Sequence, residues 1–401
     1  MNTILYVFHC STIGGGSYCL LNILKTVDRS LYKPIVLLAN DGPLVEEIKK
    51  LSIDVFFYPK MDSIPYNLSL TKRGTIAKYH KIHKSLSGFS TIIRKINPNV
   101  VYLNSMMLYP YLKPAKKEGY KTIIHIREHW SHKEHRIQLL RAQKHIQKYA
   151  DHVVAINVFA AQQVPNIEHK TTIVYDWIDF TDRYKEMPLN EIFNENLTNK
   201  KVMLFTGGQA SNKGAKEVAK LFSKYLTDDN FRLLVLGNSV REYGYSLKER
   251  IKIWLSDKGI RDYYSYELNK IIKNDKRIVC IPNIYEIKHL LEQCFCLVSY
   301  FTIPHANLAL AESVINNTVV VAAETEESIE YSLGGKLAFL FKMNSPQGFV
   351  HAVHKALEQH DEMKEKLADS SSVVCEMFDK NTNTNKLKEV YNIVLQENEG
   401  K

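Results

Sequence analysis

One pattern constrains this chain more than any other. Short apolar runs end abruptly at a polar residue or a glycine, and an amphipathic stretch follows each. Ile4–Phe8 is the first run; Gly14-Gly15-Gly16-Ser17 breaks it, and Tyr18, Leu20, Leu21 and Leu24 then recur at helical spacing. Pro34–Leu38 reads as a second strand, Pro43–Leu51 as a helix and Asp54–Tyr58 as a third strand. Runs at Val100–Leu103, Thr122–Ile126, Val153–Ile156 and Thr172–Tyr175 stop at Asn104, Arg127, Asn157 and Asp176. Strands alternating with helices specify a parallel, doubly wound sheet.

The pattern restarts near residue 200. Lys201–Phe205 is a strand broken by Thr206-Gly207-Gly208, and the helix from Gly214 carries Val218, Leu221, Phe222 and Tyr225 on one stripe. Arg232–Leu236, Arg277–Ile281, Cys296–Tyr300 and Val319–Ala323 read as strands. Ile287–Gln293, Ala309–Ile315, Phe349–Glu358 and Asn385–Leu395 read as helices. Between the two series, Asp179–Lys200 is polar and lacks periodicity, as a linker does. A length of 401 residues suits two domains. The expected organisation is an N-terminal Rossmann-like domain over 1–185, a second over 186–375, and a C-terminal helix over 376–401 that could cross back to the first. Two such halves would face a cleft, with ligands at the carboxyl ends of the strands.

Charge divides along the same line. The chain carries a formal +10; residues 1–185 hold 26 Lys and Arg against 14 Asp and Glu, and residues 186–401 hold 27 against 29. An uneven charge is a statement about partners: an anionic membrane surface, nucleic acid or phosphorylated small molecules. The basic stretch 60–100 includes Lys72, Arg73, Lys78, Lys81, Lys84, Arg94 and Lys95, with Tyr66, Leu68, Ile76, Ile82 and Phe89 interleaved. On a helix it would present a basic amphipathic face suited to anionic headgroups, or simply a solvated one. No nucleic-acid motif accompanies it. The start Met1–Phe8 lacks a basic region before its apolar run, and no run of about 18 apolar residues occurs, so a cytoplasmic location is expected. The six cysteines form no C-x-x-C pair and read as small buried hydrophobes.

Three segments could carry chemistry. Gly14–Ser17 joins strand to helix, where free N–H groups could meet a phosphate or a sugar, although on this motif alone a tight turn is the better reading. Thr206–Gly214 does the same in the second half, with Lys213 at the helix start; neither loop matches a dinucleotide or Walker pattern. Pro304–Glu312 leads into a mostly apolar helix that buries the question of what Glu312 does. A carboxylate there is solvated, dipole-stabilised or accepting from sugar hydroxyls. His129, His132 and His135, near Glu128 and Glu134, lack the H-E-x-x-H order and read as a polar helix or loop. There is no Asp-x-Asp sequence to hold a metal against a diphosphate.

In this order the features resemble a retaining glycosyltransferase of family 4, with the GT-B fold, across essentially the whole chain. Gly207 matches the family's Gly and Lys213-Gly214 its Lys-Gly; Glu312 matches the second Glu of its Glu-x7-Glu segment. Ile173–Asp179 looks like its V-Y-N-G-I-D segment, and Ile124-His125-Ile126-Arg127-Glu128 looks like an H-I-R-E variant. Gly208 stands where the family has Arg, and Pro304 where it has the first Glu. The resemblance implies sugar transfer from a nucleotide sugar with retention, metal-independent, to a lipid-linked or polysaccharide acceptor in cell-surface glycan synthesis (capsule, O-antigen or lipopolysaccharide), peripheral at the inner face of the plasma membrane. It implies donor binding by Gly207, Gly208, Lys213, Asn307, Leu308 and Glu312, and acceptor binding by Gly15, Gly16 and Ser17. It implies catalytic roles for Lys213, Glu312, Arg127 and Glu128. No cofactor, metal or nucleic acid is expected. A non-catalytic partner of another transferase and a nucleotide-sugar epimerase are the alternatives. In the plainest reading Arg127 and Glu128 pair with each other at the strand end, and His125 points away from them into the core.

Overall fold

The structure is a computed structural model that describes residues 1–64, 75–130, 135–178, 187–208, 211–237, 259–282, 284, 287–303 and 306–396. The chain forms two compact units, Met1–Trp177 with Lys380–Lys401, and Ile178–Asp379. The sequence reading set its boundary at 185; residues 179–186 lie outside the described residues.

Unit 1 is built on strands β1 (Asn2–Phe8), β2 (Tyr32–Leu38), β3 (Asp54–Phe57), β4 (Val100–Leu103), β5 (Lys121–Ile126), β6 (His152–Ala155) and β7 (Thr171–Ile173). They pair in parallel in the order β3-β2-β1-β4-β5-β6-β7. The helices between them are α1 (Gly15–Thr26), α2 (Pro43–Lys50), α3 (Thr75–Ile96), α4 (Leu112–Lys117), α5 (Arg136–Tyr149) and α6 (Val158–Gln162). Strand order reverses after β3. Right-handed crossovers therefore place α1 and α2 on one face and α3, α4 and α5 on the other. On the α1 face, Ile4, Tyr6, Phe8 and Tyr102 pack with Leu20, Leu24 and Ile48.

The last helix of the chain, Lys380–Gln396, covers the same face. Its Leu387, Val390, Tyr391 and Val394 join the unit 1 core. Each contributes about 1.5–3 kcal/mol on full burial, enough together to hold the helix there. Tyr391 shares a hydrogen bond with Tyr6 at 2.9 Å, and the buried Asn383 accepts one from the Tyr175 N–H.

Unit 2 repeats the plan. Strands β8 (Lys201–Phe205), β9 (Phe231–Leu236), β10 (Ile278–Ile281), β11 (Cys296–Ser299), β12 (Val320–Ala323) and β13 (Phe339–Phe341) pair in parallel as β10-β9-β8-β11-β12-β13. The helices Ala215–Tyr225 and Leu308–Ile315 follow β8 and β11 respectively.

Two expectations change. The apolar stripe of α3 (Ile82, Phe89, Ile93) is buried, so its basic face is charged without a free apolar flank, apart from Ile76. Lys78 and Lys81 both reach Asp62 at 3.2 Å; Tyr66, Leu68, Lys72 and Arg73 lie outside the described residues. Of the cysteines, Cys19, Cys294 and Cys296 are buried, but Cys375 is exposed on a solvent-facing helix. No described helix is long and apolar enough to cross a membrane.

Candidate functional site

In each sheet the strand order reverses at the first strand, between β1 and β4 in unit 1 and between β8 and β11 in unit 2. Ligand crevices open at such switch points, beyond the carboxyl ends of the strands.

In unit 2 the loop after β8 folds onto the end of β11. Thr302 donates its N–H to Asn212 O (3.1 Å) and its hydroxyl to Ser211 O (3.1 Å). Gly214 has φ +80°, and a Cβ there would lie 2.0 Å from Tyr300 O, so only glycine lets the loop close this tightly. Gly208, at φ +65°, donates its N–H to Leu236 O. Lys213 follows, its ammonium 4.6 Å above the Phe301 ring. Among the described residues it meets no carboxylate, and burial brings its pKa down to about 8.

The helix Leu308–Ile315 starts from the same strand end. Asn307 is buried; its Oδ1 accepts from the Leu310 N–H, and its Nδ2 donates to Ser299 Oγ at 2.9 Å. Its side chain is thus spent on fixing the helix to β11. What the helix offers outward is its first N–H groups, Leu308 and Ala309, which lie ahead of the helical ladder. One turn on, Glu312 keeps some exposure, yet its carboxyl is pushed up to about 7 by burial, with no side-chain partner among the described residues. Pro304 lies outside the described residues.

Unit 1 holds its charges differently. Arg127, just beyond β5, grips Asp176 through Nη2 at 2.6 and 2.5 Å, with side chains 7% and 11% exposed. Burial alone would depress the guanidinium pKa; the Asp176 carboxylate outweighs it and the net shift is upward. Glu128 accepts from Ser105 Oγ (2.6 Å) and from the Met106 N–H (2.9 Å), fastening the turn after β4. Burial raises its pKa, and these bonds oppose the rise. The Arg127 and Glu128 side chains are therefore bound to different partners rather than to each other. His125 does not turn away from Arg127 either. Residues two apart on a strand share a face, and Arg127 Nη1 lies 3.3 Å from His125 Nδ1. Tyr102 Oη lies 2.8 Å from the same nitrogen.

At the start of α1, the Tyr18 N–H closes the first helical turn on Gly14 O, which leaves the Gly15, Gly16 and Ser17 N–H groups outside the ladder. A Cβ at Gly14 or Gly15 would meet nothing within 4 Å, so these positions border open space. The Ser17 hydroxyl is buried and donates to Thr12 O at 2.6 Å. Two polar residues that end strands complete this edge. His9 follows β1, its pKa lowered to about 4 by burial, and Asn104 follows β4. His9 Nδ1 and both amide atoms of Asn104 are buried without a hydrogen-bond partner among the described residues. The signal that finds them is position: polar residues ending the two strands that flank the switch point.

The histidine group does not assemble into a ligand cluster among the described residues. His129 stacks on Phe159 at 3.9 Å, His135 is buried ahead of α5, and His132 and Glu134 lie outside the described residues.

No family model and no curated protein matches the chain. Solved structures do, at the level of fold. HepE of Anabaena, in complex with UDP, superimposes with a TM-score of 0.73 at 15% identity, covering 98% of this chain and 100% of that one. The lipopolysaccharide outer core galactosyltransferase WaaB matches with 0.61 at 16%, covering 98% and 99%. The N-terminal domain of trehalose-6-phosphate phosphatase from Candida albicans matches with 0.70 at 11%, covering 98% and 97%. The fold is the GT-B arrangement of two Rossmann-like domains, and the third neighbour shows that the fold alone does not name an activity.

Proposed function

We propose that this protein is a glycosyltransferase of glycan synthesis that uses a nucleotide-sugar donor held by unit 2. One observation carries the reading: Lys213 and Glu312, a cation and a carboxyl without a counter-charge among the described residues, lie in the loop and the helix that meet at the end of β11 in unit 2. Desolvated groups of this kind are costly unless a ligand satisfies them. A nucleoside diphosphate supplies both complements, phosphate oxygens for Lys213 and ribose hydroxyls for Glu312. Two structural neighbours agree with it, one a complex with UDP and one a galactosyltransferase.

In this reading the bond between the anomeric carbon and the diphosphate breaks as the acceptor oxygen bonds the same carbon. Negative charge grows on the leaving diphosphate. The Lys213 ammonium, the Gly207 N–H and the Leu308 and Ala309 N–H groups meet that charge without reorganising, while Gly208 holds the loop on Leu236 O. The acceptor oxygen attacks from the face that the diphosphate leaves, which retains configuration, and its proton passes to a leaving phosphate oxygen, so no protein base is required. Asn307 acts by positioning Leu308, while Arg127 and Glu128 act by shaping unit 1. The acceptor, lipid-linked or glycan, is assigned to unit 1, at the Gly15–Gly16 N–H groups with His9 and Asn104; Ser17 serves there through its backbone. A peripheral place at the inner face of the plasma membrane belongs to the same proposal.

The test is UDP release from a panel of UDP-sugars, with and without lipid-linked and glycan acceptors, and NMR of the product's anomeric centre. Release that depends on acceptor, with retention, is expected. Epimer or nucleotide formed without any acceptor would replace transfer with epimerase chemistry, and failure of every nucleotide to bind would leave a non-catalytic partner.

A further inference from the structure

The helices on the second face of unit 1 carry an unusual charge. Across α3, α4 and α5 there are twelve Lys and Arg residues and not one Asp or Glu. That equals the whole basic excess of residues 1–185. The sequence order disperses these charges among three segments; the topology gathers them, because α4 packs between α3 and α5.

Neighbouring elements neutralise only some of them. Asp62 takes Lys78 and Lys81, Glu118 takes Arg94 at 3.5 Å, and Asp151 takes Lys116. Lys84, Lys113, Arg136, Arg141, Lys144 and Lys148 are exposed and meet no carboxylate among the described residues. Arg141 lies over the Tyr79 ring of α3 at 5.4 Å, which ties the α3 and α5 ends of the surface together. Large apolar side chains stand among these cations: Ile137 is 53% exposed, Leu140 46% and Ile76 75%. Ile137 and Leu140 are three apart on α5, so they share a face with Arg141 and Lys144.

We infer that the outer face of the α3–α4–α5 layer docks on an anionic lipid bilayer, with its lysines and arginines over the headgroups and Ile137, Leu140 and Ile76 entering the interface. This deepens the membrane part of the proposed function by naming the surface. Cations alone would fit nucleic acid equally. The exposed isoleucines and leucine favour a bilayer, where their burial adds to the electrostatic attraction.

The experiment is co-sedimentation of the full chain with phosphatidylcholine vesicles that contain or lack phosphatidylglycerol. The parent should bind only the anionic vesicles, and less as salt rises. Each Lys or Arg near the surface is worth about five-fold in partitioning, from roughly 1 kcal/mol per charge. Lys84→Gln/Lys144→Gln/Lys148→Gln should therefore lose about a hundred-fold. Ile137→Ser/Leu140→Ser should also weaken binding while leaving the salt dependence intact. All these positions are exposed, and a circular dichroism spectrum with UDP-induced thermal shift confirms that each variant is folded. Equal binding to both vesicle types overturns the inference, and so does a triple variant that binds like the parent. A triple variant that loses RNA or DNA binding but keeps vesicle binding assigns the face to nucleic acid and overturns it as well. If the parent binds anionic vesicles but no nucleotide, the transferase reading fails and the docking surface stands.

Discussion

Unit 1 and unit 2 share one strand order through six strands, yet the charged residues that the sequence singles out in each are held in opposite ways. In unit 1 Arg127 is clamped bidentately by Asp176, and Glu128 is satisfied by a hydroxyl and an N–H. In unit 2 Lys213, in the loop after β8, and Glu312, on the helix after β11, have no such partners among the described residues. The contrast separates scaffolding from site. A charge whose complement is already in the fold holds the fold; a charge whose complement is missing is set for a ligand.

The sharpest way to break this comparison is to remove a partner from the satisfied pair. Arg127→Ala strands a buried carboxylate and should cost about 3–5 kcal/mol of stability, whereas Arg127→Met with Asp176→Leu should recover most of it. Urea denaturation of the three proteins decides, and equal stability for all would make Arg127 a site residue rather than a strut.

The converse holds for Lys213. Lys213→Met should leave the melting temperature unchanged or raise it, because the desolvated ammonium is gone, while kcat falls by about 10²–10³. A loss of stability with turnover intact would place Lys213 with Arg127.

Glu312→Gln should weaken donor affinity by about ten- to a hundred-fold, as a charge-assisted hydrogen bond of about 1.5–3 kcal/mol is lost. It also has a signature in pH. An unfolded carboxyl titrates near 4.5 and the folded one near 7, so its stabilising contribution is full at low pH and is lost as pH rises through about 7. Glu312→Gln should flatten that decline in a pH series of melting temperatures. For Lys213 the sign is reversed. The folded value of about 8 lies below 10.5, so stability recovers as pH rises from 8 toward 10.5.

Asn104→Leu gives the smallest effect on stability. Replacing a buried amide that has no partners among the described residues with an apolar side chain should be neutral or stabilising by about 1 kcal/mol, while the KM for acceptor rises. An unchanged acceptor KM would move Asn104 out of the acceptor edge.

Much of the scaffold is legible in the sequence, because each strand is an apolar run with a polar or glycine stop. Ile4–Phe8, Val100–Leu103 and Lys201–Phe205 all appear within two residues of their expected ends. What escapes has weak periodicity. β13 is three residues long, and the helix His360–Met377 buries only Met363, Leu367 and Val374. The placing of Lys213 at a helix start and of Glu312 early in a helix is legible too. Their lack of a counter-charge among the described residues is not, since it depends on what folding brings near them. The same limit hid Asp176, which reaches Arg127 across 49 residues of sequence by sitting two strands away in the sheet. Local pattern alone offered Glu128 as the partner, one residue along the chain. The basic layer was half visible: the charge excess is plain in the sequence, but its assembly from α3, α4 and α5 needs the strand order.

Lys213 of unit 2 is set for a diphosphate in this account, and calorimetric titration with UDP tests that most directly. The parent should bind UDP with proton uptake near pH 8, and affinity should weaken by up to about tenfold per pH unit above that value. Lys213→Met should bind far more weakly and lose the pH dependence. UDP binding that is equal in the two proteins and flat from pH 7 to about pH 9 would contradict the account.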